Sequence, residues 1–581
     1  MPDDCGTSPD DVVILGAGLA GLALAIQLRQ RNDALRVVVL ERGAFPVPSA
    51  AHKVGESTVE VGSHYYNHVL GLAGPLSRAR IPKLGLRYFF PCSNNAIVEA
   101  RPELGLRHYH AVGSTNFDRG AQENVMAEQA RALGVVLEEG VRVRDVELSE
   151  DDAAHTVVAE DQRAWRARWV IDATGRRSFL KRKLGLVEGN GHVASSAWFR
   201  IARPLAVDDM STDDAWRRRV PFGMRRLSTN HFMGEGYWLW WIPLADGSIS
   251  IGLVADAAVH PFDTYNTWEK MQAWLAEYEP ATAEMIAPHA EARLDFRTQK
   301  NFSYGAKQVF SKHRWALTGE AGVFVDPFYS PGSDFIAFSN DFITELVAKD
   351  AAGDDISRLA FGFNRQYLSL YRSFLSLYEG QYAMFGNAQV ASLKIVYDYS
   401  AYWASTALLF FQRKLTQPDF LRRVTVEMVK VARLGGLAQA FFRAWAQRDQ
   451  GRGRAEGMLN YHALGYLTRW QTDLARAYTD DELVHVMREN RKVLEQIHVW
   501  LYQRATGRAE EINPYKLALS DDDEVVQTSN LDMLGSLEAF LAKRTDLRDG
   551  VYTVRAAAKT ASASAGGSVR PAPGPRRWCR R

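Results

Sequence analysis

Val12-Val13-Ile14-Leu15-Gly16-Ala17-Gly18-Leu19-Ala20-Gly21 decides how this chain of 581 residues is read. Four apolar residues stop at a glycine, a helix-forming run continues to Leu28, and a second apolar, β-branched run spans Val37 to Leu40. Short unbroken apolar runs of this kind fit strands of a parallel sheet covered on both faces. A GxGxxG alone is a weak signal. Here it follows a strand, opens a helix, and has Glu41 at the end of the next strand, twenty residues after Gly21, which is the context of a dinucleotide site. Gly16 permits the tight turn, Gly18 lets the backbone approach a pyrophosphate, and Gly21 lets helix and strand pack closely. The helix N-terminus offers free N–H groups and a favourable dipole to phosphate. Glu41 is placed to accept hydrogen bonds from an adenosine ribose.

Outward from this unit, the length exceeds what one growing core supports, so a large body with an added domain is expected. Hydrophobic residues make up 46% and charged residues 24%, the balance of a globular chain. The 15 Trp, 22 Tyr and 27 Phe suit a large core or a site for a flat apolar ligand. Seven basic and no acidic residues follow Val551, so the net charge of +2 becomes −5 without them; nothing points to nucleic acid. Cys5, Cys92 and Cys579 form no CxxC pair, which gives no basis for a disulfide framework or a zinc site and points to a reducing cytoplasm. The N-terminus carries Asp3 and Asp4 rather than a signal-peptide core, and no run of eighteen apolar residues exists to span a membrane.

Trp169-Val170-Ile171 reads as a strand leading into Asp172-Ala173-Thr174-Gly175. Tyr237–Pro243 and Ser248–Val254 read as strands around the turn Ala245-Asp246-Gly247, part of a second, substrate-facing sheet. From about residue 355 to 545 the pattern is helical. Tyr367, Tyr371, Phe374, Tyr378 and Tyr382 recur at spacings of three and four, which places them on one helix face. They serve helix packing or line a substrate channel. The stretch Leu421–Trp445 is amphipathic, with a break expected at Gly435-Gly436. Residues beyond 553 are rich in Ala, Ser, Gly, Pro and Arg and are expected to be disordered. No internal repeat is present. The fold class expected is α/β: a dinucleotide-binding, GxGxxG Rossmann-like domain with an inserted mixed β-sheet substrate region, plus a mostly α-helical C-terminal region. The boundaries are 1–350 for the catalytic body, 351–550 for the helical region and 551–581 for the basic tail.

Two later segments select FAD over NAD. Asp172-Ala173-Thr174-Gly175 resembles the strand end of FAD-dependent monooxygenases. Trp315 to Asp326 resembles the later flavin-binding segment of that superfamily, with Gly319-Glu320 where Gly-Asp is usual and Asp326-Pro327 beginning the stretch that meets the isoalloxazine ring. Trp238-Leu239-Trp240-Trp241-Ile242-Pro243 matches a WxWxIP motif, and Phe324 to Gly332 matches FxxPxxSxG at its fixed positions. With these, the chain resembles the flavin-dependent halogenases, firmly over about residues 10–350. The resemblance implies FAD as cofactor, a separate flavin reductase supplying it reduced, and chemistry in which reduced flavin, oxygen and halide yield hypohalous acid. It makes Trp238 and Trp240 a wall between substrate and flavin. It also implies a catalytic lysine some thirty residues after a Gly-Glu-Ser segment. Lys53-Val54-Gly55-Glu56-Ser57 supplies that segment, and Lys83, 27 residues after Glu56, is the first choice, with Lys53 in reserve. A buried ammonium can hydrogen-bond hypohalous acid, or a neutral amine can form a haloamine.

Two departures bear on the substrate. Tyr329 stands where tryptophan halogenases carry a Glu that assists the reacting ring; its absence favours a ring that activates itself, a phenol or similar electron-rich aromatic, free or carrier-tethered. Pro331 replaces the Thr whose N–H helps hold halide. Proline has no N–H, so Gly332 and Ser333 are the remaining amide donors. The rival readings are an FAD-dependent aromatic hydroxylase, which shares every flavin motif, and a flavin-binding scaffold for a biosynthetic complex.

Overall fold

The computed structural model describes residues 10–150, 153–449, 457–510, 512–526 and 533–543; the tail after 551 lies outside them. Strand β1 (Asp10–Leu15), helix α1 (Leu19–Arg31) and strand β2 (Val37–Leu40) form the opening unit as read. Helix α2 (Glu60–His64) and strand β3 (Arg80–Lys83) follow, before β4 (Ala164–Asp172) returns beside β1. The seven-stranded sheet runs Val136–Glu138, β2, β1, β4, His155–Ala159, Val143–Glu147, with Trp315–Leu317 also paired to β4. Its pairings about β1 and β2 are parallel. Val12, Val13, Ile14 and Leu15 are wholly buried, as expected of a strand covered on both faces.

The second sheet has eight strands and is built around β5 (Tyr237–Pro243) and β6 (Ile249–Asp256). Alternation along β5 sends Trp238, Trp240 and Ile242 into the main core, and Tyr237, Leu239 and Trp241 into a smaller core with Trp216 and Trp274. Gly252 faces Trp240 across the ladder, and a Cβ there would stand 2.2 Å from the indole; the missing side chain makes room for the ring.

Helices α3 (Gly332–Ala351), α4 (Ser357–Leu375), α5 (Ala388–Ala401) and α6 (Pro418–Arg448) make up much of the helical part. Two expectations are corrected here. First, α6 runs without interruption through Gly435 and Gly436. Two mid-helix glycines cost about 1 kcal/mol each, while burial of Phe420, Val424, Leu434, Phe441, Phe442 and Trp445 along one stripe contributes roughly 1.5–3 kcal/mol per side chain. Packing wins. Second, the aromatic ladder does not share one helix: α4 ends at Leu375, Tyr378 lies in the turn beyond it, and Tyr382 opens a short 3-10 helix, Tyr382–Gly386. All five rings are buried, so the periodic pattern continues past the helix because those turns face the same core. A short strand from the helical region, Met458–Asn460, joins the edge of the second sheet beside Glu103–Gly105. No described helix is long and apolar enough to cross a membrane.

Candidate active site

The glycine turn is locked by backbone contacts. Gly16 has φ +103, and a Cβ there would stand 2.7 Å from the Ala173 carbonyl oxygen; at Gly21 it would stand 2.0 Å from that of Gly16. Neither position accepts a side chain without moving the chain. Helix α1 begins after Gly18 with no side-chain cap, so its first N–H groups stay available to an anion. Glu41 bridges the turn, its Oε2 accepting from Ala17 N–H at 2.8 Å and Oε1 from Gly43 N–H at 2.8 Å. A cluster that escaped the sequence reading lies alongside: the Lys53 and Arg119 cations and the His52 ring converge on the Glu123 carboxylate at 2.9, 2.8 and 3.0 Å. Arg119 first among these charges holds Glu123 well below the usual carboxylate range despite its burial. A Cβ at Gly18 would start 3.7 Å from the Lys53 ammonium. A glycine cradle, an uncapped helix and adjacent cations fit the pyrophosphate of FAD. The one signal in the sequence for this cluster is the i,i+4 pair Arg119–Glu123.

The later flavin segments pack on the same turn. Asp172 is buried and fully engaged, accepting from Thr174 N–H (2.9 Å), Thr174 Oγ1 (2.6 Å) and Leu180 N–H (2.7 Å), so it shapes the loop that contains Gly175, at φ +60. Gly319 has φ +58, and a Cβ there would stand 2.9 Å from the Ala20 Cβ, which brings its turn against the start of α1. The Glu320 carbonyl accepts from Tyr304 OH at 2.8 Å. Asp326 takes bonds from His192 Nε2 at 2.6 Å, from Phe328 N–H at 2.8 Å and from Tyr382 OH. A tight turn from Pro327 to Ser330, closed by Ser330 N–H to the Pro327 carbonyl at 2.8 Å, delivers the chain to α3. The first amide bonded inside α3 is that of Phe335, to the Pro331 carbonyl at 3.0 Å. The amides of Gly332 and Ser333 thus lie at a helix N-terminus, without partners in the helix.

Lys83 and Ser57, assigned to separate motifs in the sequence, meet in space. Lys83 Nζ donates to Ser57 Oγ at 2.9 Å and to the Thr58 carbonyl. Lys83 ends β3 and is 3% exposed, whereas the Lys53 side chain is 43% exposed. Burial lowers the Lys83 amine to about 7, against the opposing pull of Glu60 and Asp334. These three residues lie on the wall of a cavity of about 660 Å³. The wall continues through Tyr329, Tyr399, Tyr402, Trp403 and Tyr461 and reaches α6 at Leu421, Met428 and Val431. Burial pushes the Asp334 carboxyl up to about 7. Of the aromatic ladder, Phe374 lines the cavity. Trp238 and Trp240 stand off this wall: Trp238 Nε1 donates to Tyr382 OH at 2.8 Å, and Trp240 Nε1 to Ser250 Oγ at 3.1 Å. Glu56 anchors its segment to the second sheet, receiving Arg200 Nε at 2.7 Å. Among the described residues no cluster of His, Cys, Asp and Glu could hold a metal ion.

Comparison with known proteins agrees with this geometry. A tryptophan halogenase family model matches residues 104–388, and an NAD(P)-binding Rossmann-like model matches residues 14–74. A flavin-dependent halogenase of Dictyostelium discoideum is 25% identical over 430 residues, 68% of this chain and 69% of that protein. A 1H-pyrrole-2-carbonyl-[peptidyl-carrier protein] chlorinase of Pseudomonas fluorescens is 24% identical, covering 63% of this chain and 83% of its own length. Among solved structures, the halogenase PltM in complex with phloroglucinol and FAD superposes with a TM-score of 0.58 at 18% identity, over 84% of this chain and 96% of the other.

Proposed function

We propose that this chain, which belongs to the flavin-dependent halogenase family, halogenates an electron-rich, phenolic aromatic with hypohalous acid directed by Lys83. The cofactor is FAD; reduced by a separate reductase and reacting with oxygen, it supplies the oxidation that turns chloride or bromide into hypohalous acid. Gly16, Gly18, Gly21 and the cations beside Gly18 hold its pyrophosphate, Glu41 its ribose, and the turns at Gly175, Gly319, Glu320 and Pro327 close over it. The amides of Gly332 and Ser333 receive the halide.

The observation that carries the reading is Lys83, buried on the wall of a cavity of about 660 Å³, with its amine lowered to about 7. Lys53 points instead to the phosphate turn, so we assign direction of the oxidant to Lys83 and phosphate neutralisation to Lys53. As an ammonium, Lys83 donates a hydrogen bond to the oxygen of hypohalous acid, polarises the halogen and fixes its position. A cavity of about 660 Å³ lies in the usual range of roughly 300–1,000 Å³ for small-molecule sites and exceeds the need of a single ring. The apolar stretch along α6 favours a phenol bearing an apolar substituent. The phenolic ligand bound by the PltM neighbour supports the phenolic choice, while the carrier-tethered substrate of the Pseudomonas relative keeps a tethered one in view.

The test is mass spectrometry of reactions with reduced FAD, oxygen, bromide or chloride, and a panel of phenols, resorcinols, pyrroles and tryptophan. A halogen isotope pattern on phenols, lost in Lys83→Ala and retained in Lys53→Ala at saturating FAD, supports the reading. A gain of one oxygen, indifferent to halide, replaces it with hydroxylation.

A further inference from the structure

Three carboxylates share the cavity wall with Lys83: Glu60, Asp334 and Asp398. Two of them are occupied. Asp334 accepts from Gly62 N–H at 2.8 Å and from Tyr402 OH at 2.6 Å. Asp398 accepts from Tyr329 OH at 2.7 Å, from Gln439 at 2.7 Å and from the buried Lys394. Glu60, the first residue of α2, is 8% exposed and stands among the hydroxyls of Tyr399, Tyr402 and Tyr461, each of which feels its charge. Burial raises its pKa in spite of help from its own backbone amide, the Trp403 indole, the Lys83 charge and the Gln471 amide. A carboxylate so placed is more basic than one in water. The neighbouring position where a ring-assisting acid is expected holds Tyr329, whose hydroxyl is spent on Asp398.

We propose that Glu60 is the base that takes the substrate's hydroxyl proton as the carbon–halogen bond forms. The inference rests on the phenolic halogenase reading above. The Glu60 carboxylate accepts the O–H proton, and the released pair flows through the ring to the halogen of hypohalous acid. The halogen–oxygen bond breaks with its electrons going to oxygen, which takes a proton from the Lys83 ammonium and leaves as water. The halogenated dienone then loses its ring proton to the Lys83 amine and regains an O–H proton from Glu60. Net, arene and hypohalous acid become aryl halide and water, and both side chains are restored.

The test uses the full chain with reduced FAD, oxygen and bromide on two probes, 5-pentylresorcinol and its 2-fluoro analogue, whose hydroxyls are more acidic. Wild type brominates both. Glu60→Gln loses about 100-fold on the first, the scale of general-base catalysis, and about tenfold or less on the second, which gives up its proton more readily. Glu60→Asp, which keeps a carboxylate, loses less than Glu60→Gln on both and carries the test if the Gln variant does not fold. Thermal midpoint and FAD titration report folding. Equal losses of Glu60→Gln on the two probes, or no loss, overturn the role of Glu60 alone. No bromination of either probe by wild type overturns the phenolic reading and this inference with it.

Discussion

Replacing Lys83 by methionine is expected to make the protein more stable at neutral pH while abolishing halogenation. The side chain is buried, and its amine is lowered from 10.5 to about 7, burial being the first cause. A folded value below the unfolded one means that stability is fully present above 10.5 and is lost as pH falls toward 7. At about 1.36 kcal/mol per unit, the wild type gives up on the order of 5 kcal/mol near pH 7. Methionine matches the shape without the charge, but it leaves Ser57 Oγ and the Thr58 carbonyl without their donor, at roughly 1–3 kcal/mol each. It also removes the cation that Glu60 and Asp334 attract. Those two losses total about 2–6 kcal/mol, so the mid-range balance is a gain of about 1 kcal/mol, which at roughly 2 cal/mol/K of unfolding entropy per residue raises the Tm by about 1 °C in a chain this long. Differential scanning calorimetry of wild type and Lys83→Met at pH 7 and pH 10 tests it, beside the bromination assay. The gain should vanish or reverse at pH 10, where the unfolded lysine also sheds its proton. A variant that is less stable at pH 7, or equally favoured at both pH values, refutes the argument that the folded protein holds this amine against its charge.

Other outcomes follow from the same geometry. Gly21→Ala sets a Cβ 2.0 Å from the Gly16 carbonyl oxygen and should weaken FAD binding at least about tenfold in a flavin fluorescence titration, through the turn proposed to receive the pyrophosphate. If Lys83 acts as an ammonium, the bromination rate falls as pH rises through about 7; a pH–rate profile that climbs from 6 to 9 assigns the step to the neutral amine. Glu103, shared by Arg87 and Arg225 with all three side chains at 0% exposure, is held below the usual carboxylate range by Arg87 first and Arg225 second, against burial. Its contribution is present above the unfolded value of 4.5 and lost as pH falls through the lower folded one. Glu103→Gln should cost roughly 3–5 kcal/mol, read as a drop in denaturant midpoint. Crystals soaked in bromide should show anomalous density beside the amides of Gly332 and Ser333, and its absence removes the halide assignment.

Much of the nucleotide-binding unit was legible because its signals are local. A strand, a glycine turn, a helix and an acidic residue at fixed offsets report backbone conformations that only particular residues adopt, and β1, α1 and β2 form where the pattern places them. The alternation of β5 was legible for the same reason, since a strand's period sends successive side chains to opposite faces. Gly435-Gly436 misled because a local helix penalty is small beside the burial of one continuous apolar stripe. The aromatic ladder from Tyr367 to Tyr382 misled because periodicity reports which face is buried, not whether the helix continues.

The site itself divides along the same line. The sequence by itself determined the fold class, the FAD turn and a pair of candidate lysines, all carried by residues close in the chain. Tertiary structure separated those lysines, setting Lys83 on the cavity wall and Lys53 beside the glycine turn, and the proposed division of roles rests on that placement. It also brought Glu60, Asp334 and Asp398 from three separate helical segments onto one wall. Such a gathering has no signature in the sequence, because burial and charge coupling depend on which surfaces close around a side chain, and those surfaces come from residues tens to hundreds of positions away.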